Sequence, residues 1–325
     1  YFGMTATALI IGASSQDGSY LADLLLAKGY TVIGTIRRST NFYQENIAHL
    51  SGKIQIEAAD LLDGESIARL VRQYQPNEIY NIAAQSVPAD SWSHPFYTGE
   101  VTGLGVVRVL DAVRLFAPHA RVYQATSREI YGNISGVANE ATPIDANNPY
   151  GIAKAYAHMM VRCYRESYGV FACAGVLFNH ESPRRSLHFV TRKITAAVAC
   201  IKNQVKQPPL DELGKPLISN DQLSLGWLDS QRDWGYAPEY VEAMWRMLQN
   251  TVPKDYVIGT NIAHTVRDVC QIAFAHVGLN WEDHVKTDSH LLRPTEIAAL
   301  TGDYTLAQKE LGWQPRTSFE TLIQL

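Results

Sequence analysis

The first half of the chain alternates short apolar runs with longer segments of helical periodicity. Apolar and β-branched runs predict strands at residues 8–11, 31–36, 54–58, 78–82, 121–125 and 170–178. After the first run, Leu21, Leu24 and Leu25 recur at helical spacing, which predicts a helix over residues 18–28 that ends at Gly29. This alternation of strands and helices predicts an α/β fold with a mostly parallel, doubly wound sheet.

The second half of the chain follows a different pattern. Residues 203–224 are polar and contain Pro208, Pro209 and Pro216, so we predict an irregular segment there. Residues 238–250 return to helical spacing, and we interpret their apolar face as core. We therefore predict a first domain over residues 4–178, to which segments from about 225 to 260 return, and a smaller, mixed α/β C-terminal domain over residues 179–325.

The composition limits the classes of function. The 325 residues include 46% hydrophobic and 18% charged side chains with a net charge of −4, which is typical of a soluble globular protein and argues against nucleic-acid binding. The four cysteines are spaced too widely for a zinc site or a disulfide framework, so we predict no metal site and a reduced, cytoplasmic location. No apolar run approaches the length of a membrane span, so no membrane association is expected.

A glycine-containing turn lies between the first predicted strand and the first predicted helix. Gly12 would allow a tight turn, Gly18 would let the helix approach the strand, and the helix N-terminus would face a pyrophosphate. Ser15 stands where a middle glycine is usual, and its small hydroxyl would still donate to a phosphate. The predicted cofactor ligands from this turn are Gly12, Ser14, Ser15, Gln16, Asp17 and Gly18. A strand-to-helix turn that binds no cofactor is the alternative.

Residues after the next strands extend the predicted cofactor site. Arg37, Arg38 and Ser39 follow the second strand, where arginines accept the 2′-phosphate of NADP and an acidic residue would indicate NAD. A solvated basic loop is the alternative interpretation. Small residues follow the fourth strand and would let the backbone pass beside the cofactor; they are Ala83, Ala84 and Ser86. We therefore predict that the cofactor is NADP.

A Tyr-x-x-x-Lys pattern supplies the candidate acid–base group. Tyr150 and Lys154 are about one helical turn apart, so the phenol and the ammonium would share a helix face, and the ammonium would lower the pKa of the phenol. Such a tyrosine can take a proton from a substrate hydroxyl. Ser127 follows the fifth predicted strand, at the edge of the sheet where ligands bind. An ordinary i,i+4 pair within a helix is the alternative.

Several longer motifs resemble those of the GDP-mannose 4,6-dehydratases, a group of the extended short-chain dehydrogenases. They are residues 16–21, 37–39, 129–132, 150–154, 177–185, 189–193, 232–235, 240–245 and 293–296. The resemblance covers nearly the whole chain. It implies a Rossmann-type sheet with a C-terminal substrate domain, in a homodimer or homotetramer. It also implies NADP-dependent dehydration of GDP-mannose or a close relative to a 4-keto-6-deoxy sugar.

The resemblance also implies a role for each catalytic residue. Tyr150 would take the proton of the C4 hydroxyl while hydride leaves C4, and Glu129 would take the C5 proton and help water leave from C6, where the hydride returns. Ser127 would bond the C4 oxygen, and Lys154 would hold the nicotinamide ribose. Further implied cofactor ligands are Asp60, Leu61, Tyr150, Lys154, Asn179, His180 and Arg185. The implied substrate ligands are Ser86, Ser127, Arg128, Glu129, Tyr150, Asn179, Val190, Lys193, Arg232, Arg293 and Glu296.

Two single-residue departures from the family pattern bear on this assignment. Ser15 replaces a glycine, and Arg128 replaces a small serine between the two catalytic positions, where its side chain would either touch substrate or point away. A GDP-4-keto-sugar reductase or epimerase on the same scaffold is one alternative, although a reductase needs no C5 base such as Glu129. A catalytically inactive nucleotide-binding scaffold is the other, although Tyr150 and Lys154 argue against loss of activity.

Overall fold

A computed structural model describes residues 5–37, 45–211, 214–291 and 299–325 of the chain. The strands in these segments are β1 (Thr7–Ile11), β2 (Thr31–Ile36), β3 (Gln55–Ala58), β4 (Glu78–Asn81), β5 (Arg121–Ser127), β6 (Gly136–Ala138), β7 (Ala172–Leu177), β8 (Asn179–Glu181), β9 (Leu223–Leu225), β10 (Gln231–Tyr236), β11 (Tyr256–Ile258), β12 (Ala263–Thr265), β13 (Val285–Thr287) and β14 (Leu300–Gly302).

The α-helices in the same segments are α1 (Gln16–Ala27), α2 (Gly64–Tyr74), α3 (Pro95–Thr98), α4 (Gly105–Phe116), α5 (Pro149–Tyr168), α6 (Val190–Lys202), α7 (Ala237–Gln249), α8 (Val266–His276), α9 (Thr305–Leu311) and α10 (Phe319–Gln324). A π-helical turn, Gly99–Leu104, joins α3 to α4. The 3₁₀ helices are Glu45–Leu50, Arg128–Tyr131, Trp281–Asp283 and Ser289–Leu291.

The largest sheet of the described chain is entirely parallel. Its seven strands lie in the order β3-β2-β1-β4-β5-β7-β11, which is the order of a Rossmann-type dinucleotide-binding sheet with one further strand. This architecture confirms the predicted α/β fold with a doubly wound parallel sheet. The predicted strand at 31–36 coincides with β2, and the other predicted strands agree with β1, β3, β4, β5 and β7 to within two residues at either end.

The two faces of this sheet carry separate apolar cores. Successive strand residues point to opposite faces, so Ala8 and Ile10 join the core beneath α1 and α7. Leu9 and Ile11 join the core beneath α2, α4 and α5. Because all strands are parallel, their carboxyl ends and the turns that follow them meet at one edge, where a ligand can contact several turns at once.

The strand β11 was not predicted, because its three residues are too short for an apolar run to stand out. It is buried and pairs in parallel with β7, so the chain returns to the central sheet late in its course. The preceding helix α7 matches the predicted helix at 238–250 closely, and its apolar face packs against α1. The domain boundaries given above stay a prediction.

A smaller assembly follows the central sheet. Its core draws on α6, α8 and α10, with Ile194, Phe274 and Leu322 among its buried members. Its strands form small sheets, β8-β10-β12 and β9-β13, while β14 pairs with β6. Within the predicted irregular segment 203–224, the described residues before Leu223 form isolated bridges but no strand. The strand β9 begins at Leu223, so the irregular segment ends slightly earlier than predicted.

The described part of the chain was also searched for membrane spans. None of its helices combines the length and the apolar character that crossing a bilayer requires.

Candidate active site

The turn between β1 and α1 depends on two glycines. Gly12 has a φ of +96°, a conformation that favours glycine, and a Cβ there would lie 3.0 Å from the backbone nitrogen of Ala83. A Cβ at Gly18 would collide with the carbonyl oxygen of Gly12. The end of β1, the segment after β4 and the first turn of α1 therefore converge closely. Because the first N–H groups of a helix have no partner within the helix, the start of α1 is a natural binding site for a phosphate group.

Ser15 caps the N-terminus of α1. Its φ of −68° is open to any residue, so this position does not require the usual glycine. The hydroxyl donates to the carbonyl oxygen of Gly12 at 2.8 Å and accepts from the N–H of Gly18 at 3.0 Å. The hydroxyl thus caps the helix, a role in which serine is strongly preferred, and its predicted donation to a phosphate stays a prediction.

A cavity of about 980 Å³ opens at the carboxyl edge of the central sheet. Predicted cofactor residues from the turns after β1, β2, β3 and β4 line it, together with Arg185 from beyond β8. They are Gly12, Ser14, Ser15, Gln16, Asp17, Arg37, Asp60, Leu61, Ala83, Ala84, Ser86 and Arg185. Gly18 lies within α1 behind this wall, and Arg38 and Ser39 fall outside the described residues.

Some residues of this cavity carried no clear signal in the sequence. The Nη1 of Arg37 donates to the hydroxyl of Tyr97 at 2.7 Å, which orients the guanidinium at the end of β2. Asn46 donates from Nδ2 to the carbonyl oxygens of Ser14 and Arg184, at 3.3 Å each. It thereby ties the phosphate turn to the segment after β8. A lone tyrosine or asparagine outside a motif gives no pattern by which to find it.

Asp17 and His180 form a buried ion pair behind the turn. The Nε2 of His180 lies 2.8 Å from Oδ2 of Asp17, and its Nδ1 lies 2.7 Å from the carbonyl oxygen of Phe178. Carboxylate and carbonyl oxygens accept hydrogen bonds, so both ring nitrogens donate and the ring is an imidazolium. Burial opposes this charge, but the Asp17 carboxylate outweighs burial and raises the pKa of His180. Gln16 extends the pair, donating to Asp17 and accepting from Ser182.

Tyr150 and Lys154 lie buried in the first turns of α5. The Nζ of Lys154 donates to the carbonyl oxygen of Ala125 at 2.7 Å and lies 5.8 Å from the centre of the Tyr150 ring. Burial lowers the pKa of Lys154 to about 8. Burial also raises the pKa of Tyr150 to about 12. The nearby Glu129 carboxylate raises this pKa further, whereas a hydrogen bond with Ser127 lowers it. The predicted lowering of the Tyr150 pKa by Lys154 is therefore wrong for this structure, because burial dominates.

Glu129 lies in the 3₁₀ helix that follows β5 directly. Its Oε1 is 3.3 Å from Nη1 of Arg128, and its Oε2 accepts from Nδ2 of Asn148 at 2.9 Å. Arg128 is 4% exposed and also donates to the carbonyl oxygen of Gly132 at 3.1 Å. The sequence left two orientations open for Arg128, toward the substrate or away from it. In the structure the guanidinium turns inward and contacts the Glu129 carboxylate.

The four predicted catalytic residues form a cluster beside the cavity, in which Ser127 is partly exposed and the other three are buried. The side chains of Ser127, Glu129, Tyr150 and Lys154 do not line the cavity itself. Arg185 and Asp17 do line it, and both lie close enough to the Tyr150 hydroxyl to influence its pKa. The cluster and the cavity are therefore neighbouring parts of one site, with the Tyr150 phenol near the cofactor wall.

The predicted substrate residues are less closely grouped. Ser86 lines the cavity, whereas Asn179 begins β8, Val190 and Lys193 lie in the first turn of α6, and Arg232 lies in β10. The latter four are absent from the cavity wall. Arg192, adjacent to Lys193 on α6, lines it and was not predicted. Arg293 and Glu296 fall outside the described residues.

Sequence comparisons give one consistent result for this chain. A family model described as GDP-mannose 4,6 dehydratase matches residues 9–325. The chain is 43% identical to GDP-mannose 4,6 dehydratase 2 of Arabidopsis thaliana, over 98% of this chain and 85% of that protein. It is 41% identical to GDP-mannose 4,6 dehydratase of Homo sapiens, over 98% of this chain and 89% of that protein.

Solved structures resemble the fold at lower sequence identity. A dTDP-glucose 4,6-dehydratase of Streptomyces venezuelae with NAD bound has a TM-score of 0.82 at 21% identity, covering 98% of this chain and 94% of that one. The protein RMD of Pseudomonas aeruginosa, complexed with NADPH, has a TM-score of 0.79 at 18% identity, covering 98% and 97%. At such identities the likeness concerns the fold.

Proposed function

Because this chain belongs to the GDP-mannose 4,6-dehydratase family, we propose that it removes water from GDP-mannose or a closely related GDP-linked sugar. The product is the corresponding 4-keto-6-deoxy sugar. The observation that carries this proposal is the cluster at the end of β5 and the start of α5. There, Oε2 of Glu129 accepts at 2.9 Å from Asn148, the N-cap residue two positions before Tyr150.

The cavity wall fits a nicotinamide dinucleotide, and we propose NADP. The convergence at Gly12 and Gly18 leaves the start of α1 available to a pyrophosphate. Arg37 follows β2, where its planar guanidinium, oriented by Tyr97, suits the 2′-phosphate. Bound there, NADP would accept a hydride from C4 of the sugar and return it to C6. Net oxidation is zero, so the same cofactor serves successive turnovers.

Tyr150 would take the proton of the C4 hydroxyl, with Ser127 hydrogen-bonded to the same oxygen. Burial raises the pKa of Tyr150 to about 12, which favours the neutral phenol, so nearby positive charge is needed for it to act as a base. Arg185, on the cavity wall, already acts in that direction. Lys154, one helical turn from Tyr150, would hold the ribose next to the nicotinamide and add its own charge.

Glu129 would perform the elimination. A ketone at C4 acidifies the hydrogen on C5, so a carboxylate placed beside that carbon can remove the proton. The same proton then leaves with the C6 hydroxyl as water when the C6–O bond breaks. One proton returns to C5 as hydride returns to C6, which balances the proton that Tyr150 took from the C4 hydroxyl. A GDP-4-keto-sugar reductase has no use for this carboxylate, so Glu129 favours the dehydratase.

A homodimer or homotetramer and a cytoplasmic location stay predictions. Exposed apolar side chains on neighbouring helices support self-association, because a large exposed apolar surface commonly marks a protein interface. They are Leu115 on α4 and Ile152, Met159 and Tyr168 on α5. Size-exclusion chromatography with light scattering measures the oligomeric state.

The proposed function is tested by product analysis. The protein is incubated with NADP and, in separate reactions, with GDP-mannose and with UDP-, CDP- and dTDP-linked hexoses, and the products are identified by NMR and mass spectrometry. We expect loss of water from GDP-mannose or another GDP-hexose. Consumption of NADPH with a GDP-4-keto sugar, without dehydration, would instead support a reductase. No turnover of any nucleotide sugar would support a nucleotide-binding scaffold.

A further inference from the structure

Asn148 occupies the N-cap of the helix that carries Tyr150. Its backbone is extended, with φ of −140° and ψ of 158°, and its Oδ1 accepts from the N–H of Gly151 at 2.8 Å. Pro149 follows at the first helical position, where proline is favoured. One end of the Asn148 side-chain amide thus fixes the start of α5, as asparagine commonly does at this position.

The other end of the same amide contacts the candidate C5 base. The Nδ2 of Asn148 donates to Oε2 of Glu129 at 2.9 Å. The other carboxylate oxygen, Oε1, faces Nη1 of Arg128 at 3.3 Å. The carboxylate is therefore held from two sides, by an amide on α5 and by a guanidinium on its own 3₁₀ helix. A carboxylate held in this way has its plane fixed.

The backbones around this amide are in direct contact. A Cβ at Gly151 would lie 2.6 Å from the carbonyl oxygen of Glu129, so the absence of a side chain there lets the two segments touch. A Cβ at Gly132 would collide with the carbonyl oxygen of Asp145. Small shifts of the base relative to α5 are thus resisted by packing on both sides, and Asn148 supplies the polar connection between them.

From this geometry we propose that Asn148 is a positioning residue. It holds the Glu129 carboxylate at a fixed position relative to the Tyr150 phenol during elimination. The inference rests on the proposed function, because it assigns Glu129 to removal of the C5 proton. It goes beyond the motifs of the sequence, in which Asn148 had no role. Asn148 takes no proton itself and acts through Glu129.

The reaction has an oxidation step that does not use Glu129 and an elimination step that does, so a role in positioning Glu129 can be measured separately. Oxidation at C4 uses Tyr150 and the cofactor, and it transfers one hydride and one proton without Glu129. Elimination then moves the C5 proton to Glu129 and onward to the departing C6 hydroxyl. A displaced Glu129 should therefore slow elimination while C4 oxidation continues, and enzyme-bound NADPH should accumulate.

The experiment uses two substitutions that preserve the cap and remove the amide donor. Serine and aspartate cap helices about as well as asparagine, so Asn148→Ser and Asn148→Asp should both keep α5 intact. Serine is neutral, which controls for charge repulsion between an introduced aspartate and Glu129. Asn148→Ala, which loses the cap as well, reports the cost of a purely structural change.

Single-turnover kinetics with GDP-mannose measure both steps for each variant. NADPH absorbance reports C4 oxidation, and the 4-keto-6-deoxy product reports elimination. For Asn148→Ser and Asn148→Asp we expect oxidation within about twofold of wild type and elimination at least about tenfold slower, on the scale of misplaced catalytic groups. The thermal unfolding temperature should stay close to that of the wild-type protein.

Each remaining outcome contradicts the inference or its premise. Wild-type elimination in Asn148→Ser, or equal slowing of both steps in the two capping variants, would overturn the positioning role. A defect in Asn148→Ala alone would assign Asn148 to capping only. If the wild-type protein forms neither NADPH nor product with any GDP-sugar, the proposed function is overturned, and the inference that rests on it is overturned as well.

Discussion

Two charged clusters lie near Tyr150 at the start of α5, and they are built in different ways. The cofactor-side cluster consists of Gln16, Asp17, His180 and Ser182, which join α1 to β8 across a long separation in sequence. The sugar-side cluster consists of Ser127, Arg128, Glu129 and Asn148, which come from adjoining turns.

The difference lies in what each cluster can still do. In the cofactor-side cluster, both nitrogens of His180 and both oxygens of Asp17 already have partners within the chain. Moving a proton onto Asp17 or off His180 would break this buried ion pair, so the pair fixes structure. In the sugar-side cluster, the Glu129 carboxylate is oriented from two sides but keeps lone pairs with which to accept a proton. We therefore expect loss of stability from changes in the first cluster and loss of catalysis from changes in the second.

The largest effect should follow Glu129→Gln in the sugar-side cluster. Glutamine keeps an oxygen and the size of the side chain but cannot take the C5 proton, so kcat should fall by about 10²- to 10⁴-fold. Stopped-flow absorbance should still record NADPH formation from GDP-mannose. The unfolding temperature should fall by only a few degrees.

Glu140→Gln is the matched control for this change. Glu140 is an exposed residue whose carboxylate accepts from the N–H of Val257, outside the catalytic cluster and the cofactor cavity. Its substitution should leave kcat within about twofold of wild type, since it removes no proton-transfer group. Equal losses in both variants would remove Glu129 from the proposed mechanism.

A smaller, pH-dependent effect should follow Asp17→Asn in the cofactor-side cluster. Loss of the carboxylate removes a charged hydrogen bond worth about 2 kcal/mol from the free energy of unfolding. Burial raises the pKa of Asp17, but the contacts with His180 outweigh burial and hold that pKa below 3.8. The pKa of His180 is raised above 6.5. The stabilisation is therefore fully present between those two values and is lost as pH rises through the raised pKa of His180.

Urea unfolding at pH 5.5 and pH 8.5 measures this dependence. The difference between wild type and Asp17→Asn should be larger at pH 5.5, because at pH 8.5 a neutral His180 can accept a hydrogen bond from the new amide. Ser182→Ala, which removes a neutral contact to Gln16 in the same cluster, should cost stability equally at both values. A pH-independent cost for Asp17→Asn would contradict the imidazolium assignment.

The smallest effect should follow Ser15→Gly, which restores the glycine that the family pattern has there. Because Ser15 caps α1 with a φ that any residue adopts, the cost to stability should be about 0.3 kcal/mol, whereas Ser15→Ala should cost about 1 kcal/mol. Calorimetric titration should give nearly unchanged affinity for NADP. A large loss of affinity in Ser15→Gly would mean that the hydroxyl contacts the phosphate after all.

Sequence periodicity was sufficient for six of the seven strands of the central sheet. Among them, β1 and β7 are largely buried and are continuous apolar or β-branched runs. The seventh strand, β11, has only three residues and was missed. The glycine turn and the Tyr150–Lys154 pair were likewise visible as spacing within one local segment. Arg37 was predicted from its place after β2, and the structure puts it on the cavity wall.

Contacts between distant segments could not be read from the chain. The pairing of Asp17 with His180 depends on how β8 lies against α1, and the sequence carries no record of that placement. Asn148 could have been recognised as an N-cap from the Asn-Pro start of α5, but its second contact depends on where the 3₁₀ helix of Glu129 lies. The raised pKa of Tyr150 was missed because spacing indicates which charges are near and says little about burial.

The central claim is that one site oxidises C4, removes water across C5 and C6, and returns the same hydride to C6. It is tested most directly by incubating the wild-type protein with NADP and GDP-mannose that carries deuterium at C4, followed by NMR and mass spectrometry of the product. We predict a 4-keto-6-deoxy sugar with the deuterium at C6. A dehydrated product without deuterium at C6, or label found in released NADPH, would contradict the account.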